Sequence, residues 1–253
     1  MRATGNTLDP SSMSQAENSH ATDFPPGDLA VVIGGGGGIG AALARQLATD
    51  QRFAAVVSLG RSSTPPLDLL SEESIVAAAA HVAELGTVRL VIDATGFLHD
   101  ARFAPERSWR EIDPAHMAHS FALNATGPAL LLKHFLPLLP REGKAVFATL
   151  SARVGSIGDN GLGGWYAYRA SKAALNQLVR TASIELRRRK PDAICLSLHP
   201  GTVETGLSAP FARGGLDVQT PDQAAGRLLA VIDGLTPADT GSFRDHRGDT
   251  IPW

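Results

Sequence analysis

Residues 29–40 read LAVVIGGGGGIG, an apolar run that passes directly into five consecutive glycines. The run is short, partly β-branched and ended by glycine, which predicts a buried strand. The residues after it, AALARQLATD, predict a helix. Glycines between a strand and a helix let backbone N–H groups approach a phosphate at the positive end of the helix dipole. The stretch favours a pyrophosphate-binding loop, and a flexible surface turn is the alternative interpretation.

Two registers of a glycine motif fit this run. Gly34, Gly38 and Gly40 satisfy GxxxGxG, whereas Gly35, Gly37 and Gly40 satisfy GxGxxG. Because a run of five glycines matches both patterns, features further along the chain have to decide whether the loop binds a dinucleotide.

Apolar, strand-like runs alternate with helical stretches over the rest of the chain. We predict strands at residues 53–59, 88–92, 144–150 and 193–198, with a further short strand at 67–70. We predict helices at residues 71–85, 115–139, 164–190 and 221–233. This alternation predicts one α/β domain over residues 29–253, a doubly wound parallel sheet with helices on both faces. The polar residues 1–28 lack periodicity and are predicted to be a disordered tail.

The composition argues against several classes of function. The 253 residues include 23 basic and 25 acidic side chains, a net charge of −2, which gives no support to binding nucleic acid or an anionic membrane. Cys195 is the one cysteine, so a disulfide framework or a cysteine-rich zinc site within one chain is excluded. His116 and His119 lie three residues apart without an obvious third ligand. Since no secretory or spanning segment is recognisable, we expect a soluble, cytoplasmic protein without a metal site.

The end of the second predicted strand indicates which dinucleotide binds. An NAD site usually places Asp or Glu about 20 residues past the glycines, where the carboxylate binds the ribose 2′-hydroxyl. This chain instead has Arg61 and Ser62 in the stretch SLGRSS, and their donors suit a 2′-phosphate. The sequence therefore favours NADP(H) over NAD(H), with a solvated surface arginine as the alternative. Asp68 is the nearest later carboxylate and is placed to face the adenine amino group.

Tyr168 and Lys172 are four residues apart in the helical stretch YAYRASKAALNQLVR. Residues at this spacing lie on one face of a helix, where an ammonium group lowers the pKa of a phenol. Such a tyrosine donates a proton to a carbonyl oxygen, or removes one in the reverse direction. The other tyrosine, Tyr166, has no lysine partner. A surface Tyr–Lys pair is the alternative interpretation.

The order of these motifs is similar to that of one enzyme family. The glycine loop is followed by DATG at residues 93–96, Asn124 in LNATGP, Ser151 at a strand end, the YxxxK pair, and Pro200-Gly201. Over residues 29–253 this order and spacing resemble the short-chain dehydrogenase/reductase family. The stretch SARVGSIGDNGLGGWYAYRASKAALNQ and the terminal Ile-Pro-Trp resemble its C-factor-like branch. The resemblance implies a Rossmann domain whose seven parallel strands have the order 3-2-1-4-5-6-7.

The resemblance also implies roles for individual residues. Tyr168 is the expected acid/base, Lys172 binds the nicotinamide ribose and lowers the pKa of the tyrosine, and Asn124 holds a water of a proton relay. Asp93 stands where the family usually has Asn. The implied cofactor contacts lie in three loops, formed by Gly34, Gly38, Ile39 and Gly40, by Asp93, Ala94 and Gly96, and by Pro200, Gly201, Thr202 and Thr205.

The serine that positions the substrate carbonyl is the main departure from the family pattern. That serine usually precedes a glycine by three residues, and counting back from Gly155 gives Ala152. Ser151 is one residue earlier, and Ser156 is a more distant alternative. Since the 17 residues from Ser151 to Tyr168 exceed the family's usual spacing, the count is not decisive. We assign the role to Ser151, with local backbone capping as the alternative.

The sequence thus predicts an NADP(H)-dependent oxidoreductase that reduces an aldehyde or ketone to an alcohol, or catalyses the reverse. The alternative is an NADP(H)-binding signalling or interaction module without turnover. Residues 203–219 are the predicted substrate lid, and their few charges favour a weakly polar substrate. Trp165 either lines the substrate cleft or packs. By family analogy, helices 115–139 and 164–190 are candidates for a homodimer or homotetramer face.

Overall fold

The computed structural model describes residues 23–207 and 218–253. The strands within these residues are β1 (Asp28–Ile33), β2 (Phe53–Leu59), β3 (Val88–Asp93), β4 (Ala145–Leu150), β5 (Ala193–His199), β6 (Thr202–Val203), β7 (Val218–Gln219) and β8 (Phe243–Asp245). Six of them form one parallel sheet in the order β2-β1-β3-β4-β5-β8, and β6 pairs with β7 apart from it.

Helices connect the strands and cover the sheet. The α-helices of the described residues are α1 (Gly38–Leu47), α2 (Glu72–Leu85), α3 (Pro114–Phe121), α4 (Gly127–Phe135), α5 (Tyr166–Arg189) and α6 (Pro221–Asp233). A π-helical turn, Ala122–Thr126, joins α3 to α4. The helix starts follow their capping residues, because Ser71 Oγ accepts a hydrogen bond from the N–H of Ser74 and Thr220 forms a capping box with Gln223.

Successive residues of the central strands point to opposite faces of the sheet and fill two separate cores. On β1, Val31 and Ile33 pack beneath α2, α4 and α5, whereas Ala30 and Val32 pack beneath α1 and α6. Every residue of β4 is buried. Because helices cover both faces, the interior strands are apolar along most of their length. The predicted doubly wound α/β fold is confirmed.

The main sheet has six strands in the described residues, where the family resemblance implied seven. Residues 67–70, which we predicted as a short strand, form a loop. The two prolines before this segment have no N–H to donate to a ladder, and the Asp68 carboxylate accepts a hydrogen bond from the N–H of Leu70 at 3.0 Å. Leu67 and Leu69 are buried in the core. The segment is therefore apolar because its leucines pack in the core. Its backbone does not pair with a strand.

The packed fold begins a few residues before the predicted boundary at residue 29. β1 begins at Asp28, and Phe24 is buried with its ring centroid 5.3 Å from that of Phe53. One aromatic residue in a polar stretch creates no periodicity, so the sequence pattern placed Phe24 in the tail. Residues 1–22 of the predicted tail lie outside the described residues.

The carboxyl ends of the central strands meet at one edge of the sheet. The chain leaves β1 toward α1 on one face and leaves β3 toward α4 on the other, so the topological switch point lies between β1 and β3. Ligands of open α/β sheets bind in the crevice at such a point. Hydrogen bonds continue the strand pairing into this crevice, from the N–H of Gly34 to Leu59, of Ala94 to Ile33 and of Ser151 to Leu198, at 2.8, 2.8 and 2.7 Å.

Candidate active site

The glycine loop uses the GxxxGxG register. A Cβ atom added at Gly40 would lie 2.2 Å from the carbonyl oxygen of Gly34, and one at Gly38 would lie 2.9 Å from Cγ2 of Thr205. Gly34 has a φ of +86°, and a Cβ there would lie 3.0 Å from the carbonyl carbon of Ala94. Gly37, which belongs to the other register, has its nearest such neighbour at an ordinary 3.4 Å. Since Gly40 is common to both registers, the first is favoured by Gly34, where a positive φ and a backbone neighbour together require glycine.

Gly35, which belongs to the GxGxxG register, is also closely packed. A Cβ atom at Gly35 would lie 1.9 Å from Oγ of Ser58 at the end of β2. The helix that follows, α1, has Gly37 as its N-cap, and no described side chain caps it or adds an acidic group to its first turn. Open N–H groups and the positive end of a helix dipole fit an anion. The loop is thus shaped to let a phosphate approach the backbone.

A tight turn after β2 presents Arg61 and Ser62 to solvent. The N–H of Ser63 donates to the carbonyl of Gly60 at 3.1 Å, and Ser63 Oγ is also hydrogen-bonded within the turn. Arg61 is exposed, and none of the ion pairs among the described residues involves it. Asp68 is half-buried and uses one carboxylate oxygen to hold its own turn. The guanidinium of Arg61 is therefore available to an anionic group.

Asp93 joins the two central strands at the switch point. Its side chain is buried, and its Oδ2 accepts a hydrogen bond from Oγ1 of Thr149 on β4 at 2.6 Å. Its Oδ1 accepts hydrogen bonds from the N–H and the hydroxyl of Thr95 at 3.0 and 2.5 Å. The carboxylate therefore orders the segment that leads from Ala94 to Gly96, beside the glycine loop. The same side chain therefore ties β3 to β4.

Asn124 is buried in the π-helical turn and fixes the loop after β3. Its Oδ1 accepts from the N–H of Phe97 at 2.8 Å, and its Nδ2 donates to the carbonyl of Phe97 at 2.8 Å and to Ser171 Oγ at 3.1 Å. Both amide hydrogens are used, so a relay water would have to bind the remaining lone pair of Oδ1 or the backbone. A Cβ at Gly96 would lie 3.7 Å from Nζ of Lys172 and 4.0 Å from Oδ1 of Asn124. Gly96, Asn124 and Lys172 therefore surround one point.

Tyr168 and Lys172 lie one turn apart on α5, as the spacing predicted. The Lys172 side chain is buried and its Nζ donates to the carbonyl of Leu150 at 2.8 Å. The same Nζ lies 6.0 Å from the centroid of the Tyr168 ring. Lys172 thus connects the turn of α5 that bears Tyr168 to the carboxyl end of β4, next to Ser151.

The pKa of Tyr168 does not move in the direction that we predicted. Burial raises the pKa of the Tyr168 phenol above its ordinary value of 10.0, whereas we expected Lys172 to lower it. Burial also lowers the pKa of Lys172 to about 8, against a smaller opposing effect of Asp93. The ammonium donates to a backbone carbonyl and carries less charge than an exposed lysine at alkaline pH. Desolvation of the phenol therefore decides the direction of the shift, and Tyr168 keeps its proton at neutral pH.

Of the two candidate serines, Ser151 is the one whose hydroxyl has no hydrogen-bond partner in the described part of the chain. It directly follows β4 and is buried, and its Oγ has no hydrogen-bond partner among the described residues. Ser156, the alternative, donates to the carbonyl of Pro252 at 2.5 Å and accepts from the N–H of Asp159 at 3.1 Å. Ala152 has no polar side chain and begins the short 3₁₀ turn Arg153–Gly155. An orphaned buried hydroxyl suits a substrate oxygen, so the geometry favours Ser151.

The loop after β5 closes the crevice from the side of the glycine loop. Gly201 has a φ of +81°, and the carbonyl of Pro200 accepts a hydrogen bond from Nε2 of Gln219 at 3.1 Å. Thr205 lies against Gly38, and Thr202 belongs to β6, which pairs with β7. Residues 208–217 of the predicted lid, between these two short strands in sequence, lie outside the described residues. Thr205 therefore lies beside the glycine loop.

Glu106 lies at the start of α5, and the sequence pattern gave it no positioning role. Glu106 is buried and both of its carboxylate oxygens lie within hydrogen-bond distance of the N–H of Ala167, at 3.2 and 3.3 Å. Its Oε1 also lies 3.1 Å from Nδ1 of His116, which is buried as well. Trp165 is the N-cap of α5. A glutamate far from α5 in sequence carries no pattern signal that would place it at that helix start.

Two classes of feature are missing from the described residues. No cluster of three or more His, Cys, Asp or Glu is arranged to hold a metal ion. None of the described helices combines the length and the apolar character needed to cross a bilayer. Cys195 is buried, and burial raises the pKa of its thiol to about 12, so the side chain packs as a small apolar group.

Comparison with known proteins decides the family. The family model described as short chain dehydrogenase matches residues 28–214. The chain belongs to the short-chain dehydrogenase family. C-signal of Myxococcus xanthus is 41% identical over 144 residues, which are 56% of this chain and 82% of that protein. This similarity confirms the predicted likeness to the C-factor-like branch.

Two further short-chain dehydrogenase relatives cover more of the chain. The 1-hydroxy-2-glutathionyl-2-methyl-3-butene dehydrogenase of Rhodococcus sp. (strain AD45) is 34% identical over 198 residues, 78% of this chain and 83% of that protein. The crystal structure of NADPH-bound carbonyl reductase from chicken fatty liver matches with a TM-score of 0.78 and 27% identity, over 93% of this chain and 97% of that chain. The chain is therefore an oxidoreductase of the short-chain dehydrogenase family.

Proposed function

We propose that this short-chain dehydrogenase reduces a carbonyl group to an alcohol with NADPH, and oxidises the alcohol in the reverse direction. One observation carries the proposal. The buried Lys172 ammonium reaches from the helix turn of Tyr168 to the carbonyl of Leu150, immediately before the unpartnered hydroxyl of Ser151. A proton donor and a hydrogen-bond donor for a carbonyl oxygen are thereby held in one crevice, at the strand ends where a dinucleotide binds.

The residues around the switch point fit an NADP(H) molecule. Gly34 and Gly38 let the loop pack closely against Ala94 and Thr205, and the first turn of α1 offers open N–H groups to a pyrophosphate. Arg61 and Ser62 are exposed at the end of β2, where a 2′-phosphate would be recognised. The similarity to a carbonyl reductase whose crystal structure contains NADPH supports this preference. Bound NADPH supplies the hydride.

The chain's own residues divide the remaining tasks. Ser151 donates a hydrogen bond to the substrate carbonyl and fixes its orientation, the role of an oxyanion donor. Tyr168, whose pKa burial raises, holds its proton at neutral pH and transfers it to the oxygen as negative charge develops there. Lys172 stabilises the phenolate that remains. Asn124 holds the loop at Phe97 and leaves one Oδ1 lone pair for a water that returns the proton.

The test is consumption of NADPH by the wild-type protein. Absorbance at the nicotinamide band is followed against a panel of weakly polar aldehydes, ketones and quinones, with NADPH binding measured separately by titration calorimetry. Turnover on at least one carbonyl class is the expected result. Tight NADPH binding without turnover on any member of the panel would overturn the proposal in favour of a binding module without catalysis.

A further inference from the structure

Trp165 is the one non-glycine residue with a positive φ among those that the structure describes, at φ +54° and ψ +46°. A bulky side chain rarely adopts this left-handed conformation, and it persists only where the surroundings impose it. Trp165 caps α5 three residues before Tyr168. The strained residue therefore lies at the start of the helix that carries Tyr168, and hydrogen bonds from neighbouring residues hold it there.

Arg169 imposes the conformation from one side. Gly163 and Gly164 also have positive φ, +64° and +67°, so three consecutive residues are left-handed. The Arg169 guanidinium donates to the carbonyl of Gly164 at 2.9 Å, to that of Gly163 at 3.1 Å and to that of Val154 at 3.3 Å. One side chain of α5 thus ties the left-handed turn to the segment that follows Ser151.

Glu106 imposes it from the other side. Its backbone carbonyl accepts a hydrogen bond from the N–H of Trp165 at 2.5 Å. Its buried carboxylate accepts from the N–H of Ala167 at the positive end of the α5 dipole. A Cβ at Gly164 would lie 3.3 Å from the same backbone carbonyl of Glu106. Glu106 therefore holds both the strained residue and the first turn of the helix that carries Tyr168.

His116 fixes the orientation of the Glu106 carboxylate. Its Nδ1 lies 3.1 Å from Oε1 of Glu106, and the side chains are 4% and 2% exposed. The imidazole ring stacks on Phe103, with centroids 4.9 Å apart and ring planes 6° from parallel. Because both rings are packed, the carboxylate has one position from which to hold α5.

We propose that Glu106 is a positioning residue that holds Trp165 as the specificity-determining wall of the carbonyl site; this rests on the function proposed above. The Trp165 and Tyr168 ring centroids are 6.2 Å apart at 66°. The indole therefore forms a wall directly beside the proton-donating phenol. An aryl or other planar apolar group attached to the substrate carbonyl packs on this wall, which presents the carbonyl oxygen to Tyr168. The preferred substrates are aryl aldehydes and ketones.

The first experiment measures substrate preference. Trp165→Ala should raise KM for an aryl ketone at least about tenfold and leave kcat/KM for a small aliphatic aldehyde within about twofold. Glu106→Gln keeps the side-chain size and should lower kcat about tenfold while the Kd for NADPH is unchanged. Trp109→Ala is the control, since Trp109 is 67% exposed. Equal losses on aryl and aliphatic carbonyls, or a Glu106→Gln protein with wild-type kcat, would overturn the proposal.

A second readout does not depend on turnover. The fluorescence of Trp165 is obtained as the difference between a protein and its own Trp165→Phe derivative, in the wild-type and Glu106→Gln backgrounds. If Glu106 holds the indole, acrylamide should quench this difference signal at least about twofold more strongly in Glu106→Gln. An unchanged quenching constant would overturn the positioning role of Glu106. A wild-type protein without turnover would contradict the proposed function, and the quenching result would still decide whether Glu106 holds Trp165.

Discussion

Lys172 and Ser151 are buried polar residues whose hydrogen-bonding groups are only partly satisfied. Lys172 has one hydrogen bond, to a backbone carbonyl, and burial lowers the pKa of its ammonium. Ser151 Oγ has no partner among the described residues. Buried polar groups without full compensation cost stability, and such groups concentrate at functional sites. Replacing either residue should therefore cost activity without a matching loss of stability.

Replacing Lys172 by Met should stabilise the protein at neutral pH. The Lys172 pKa is about 8 in the folded state, against 10.5 as the ordinary value, so the unfolded chain binds more protons and the free energy of unfolding rises with pH between these values. The cost of burying the ammonium is fully present below pH 8. Removing it, less the lost hydrogen bond, should raise the free energy of unfolding by about 2 kcal/mol at pH 7.

Urea unfolding of wild type and Lys172→Met at pH 7 and at pH 10.5 measures this difference. The gain should shrink as the pH rises from 8 and disappear near 10.5, while carbonyl reduction by the variant is lost at both pH values. A Met variant that is less stable than wild type at pH 7 would show that the Leu150 hydrogen bond outweighs the desolvation of the ammonium.

Ser151→Ala and Ser156→Ala form a matched pair. Ser151→Ala should leave the free energy of unfolding within about 0.5 kcal/mol of wild type, because no hydrogen bond is lost, and should lower kcat about a hundredfold. Ser156→Ala removes hydrogen bonds to Pro252 and Asp159 and should destabilise the fold by about 1–2 kcal/mol. Denaturation and steady-state kinetics on both proteins measure this. If Ser156→Ala lost activity while Ser151→Ala lost only stability, Ser156 would be the carbonyl-positioning serine.

Residue types and spacings predicted part of this site. The Tyr168–Lys172 spacing is local, so helix geometry alone placed both residues on one face. The raised pKa of Tyr168 depends on desolvation by side chains distant in sequence, which no spacing encodes. Glu106 and His116 pair across separate elements, and the strained backbone of Trp165 follows from their contacts. Interactions of this kind were invisible until the chain was folded.

At the scale of elements, the glycine loop is defined by steric demand. Gly40 belongs to α1, where exchange of glycine for alanine normally stabilises a helix by about 1 kcal/mol. Its added Cβ would instead lie 2.2 Å from the carbonyl oxygen of Gly34, a backbone atom that cannot give way. Gly36 is exposed and has no atom within 4 Å of such a Cβ.

Gly40→Ala should therefore lower the free energy of unfolding by at least about 2 kcal/mol, and Gly36→Ala should change it by less than about 0.5 kcal/mol. Thermal denaturation without added nucleotide is the appropriate measurement, because the loss is a property of the loop itself. Equal stability of the two variants would mean that the loop relaxes around Gly40 and that glycine is not sterically required there.

Apolar runs predicted the central strands and helices because the buried residues of these elements recur with the period of a strand or a helix. The segment at 67–70 was misassigned since its leucines are buried without a ladder, and only the partners of its backbone groups distinguish a packed loop from a strand. Phe24 was misassigned for a related reason, as one buried aromatic residue has no period.

At the scale of the whole molecule, the sheet order brings distant parts of the chain to one edge. β1, β3 and β4 are neighbours in the sheet, so the glycine loop, the Asp93–Gly96 segment and Ser151 converge although more than 100 residues separate the first from the last. Alternation of elements predicted the fold class, but the order of strands came from the resemblance to a family. Physical patterns alone leave strand order open.

NADPH should stabilise the folded protein more than NADH does. A ligand at one hundred times its Kd adds about 2.7 kcal/mol, which raises Tm by about 5–10 °C for a chain of this length. Arg61→Ala should reduce the NADPH shift to that of NADH and leave the NADH shift unchanged. Arg141→Ala is the control, since this exposed arginine precedes β4 at the opposite end of the sheet. Equal shifts for the two nucleotides with wild-type protein would contradict the assigned role of Arg61.

The central claim is that Tyr168 supplies the proton in carbonyl reduction. Its most direct test compares Tyr168→Phe with Tyr166→Phe, the other tyrosine of the same helix turn, at saturating NADPH and carbonyl substrate. We predict that kcat falls at least about a hundredfold in Tyr168→Phe, with NADPH binding retained, and that Tyr166→Phe stays within about threefold of wild type. Wild-type kcat in Tyr168→Phe would contradict the account.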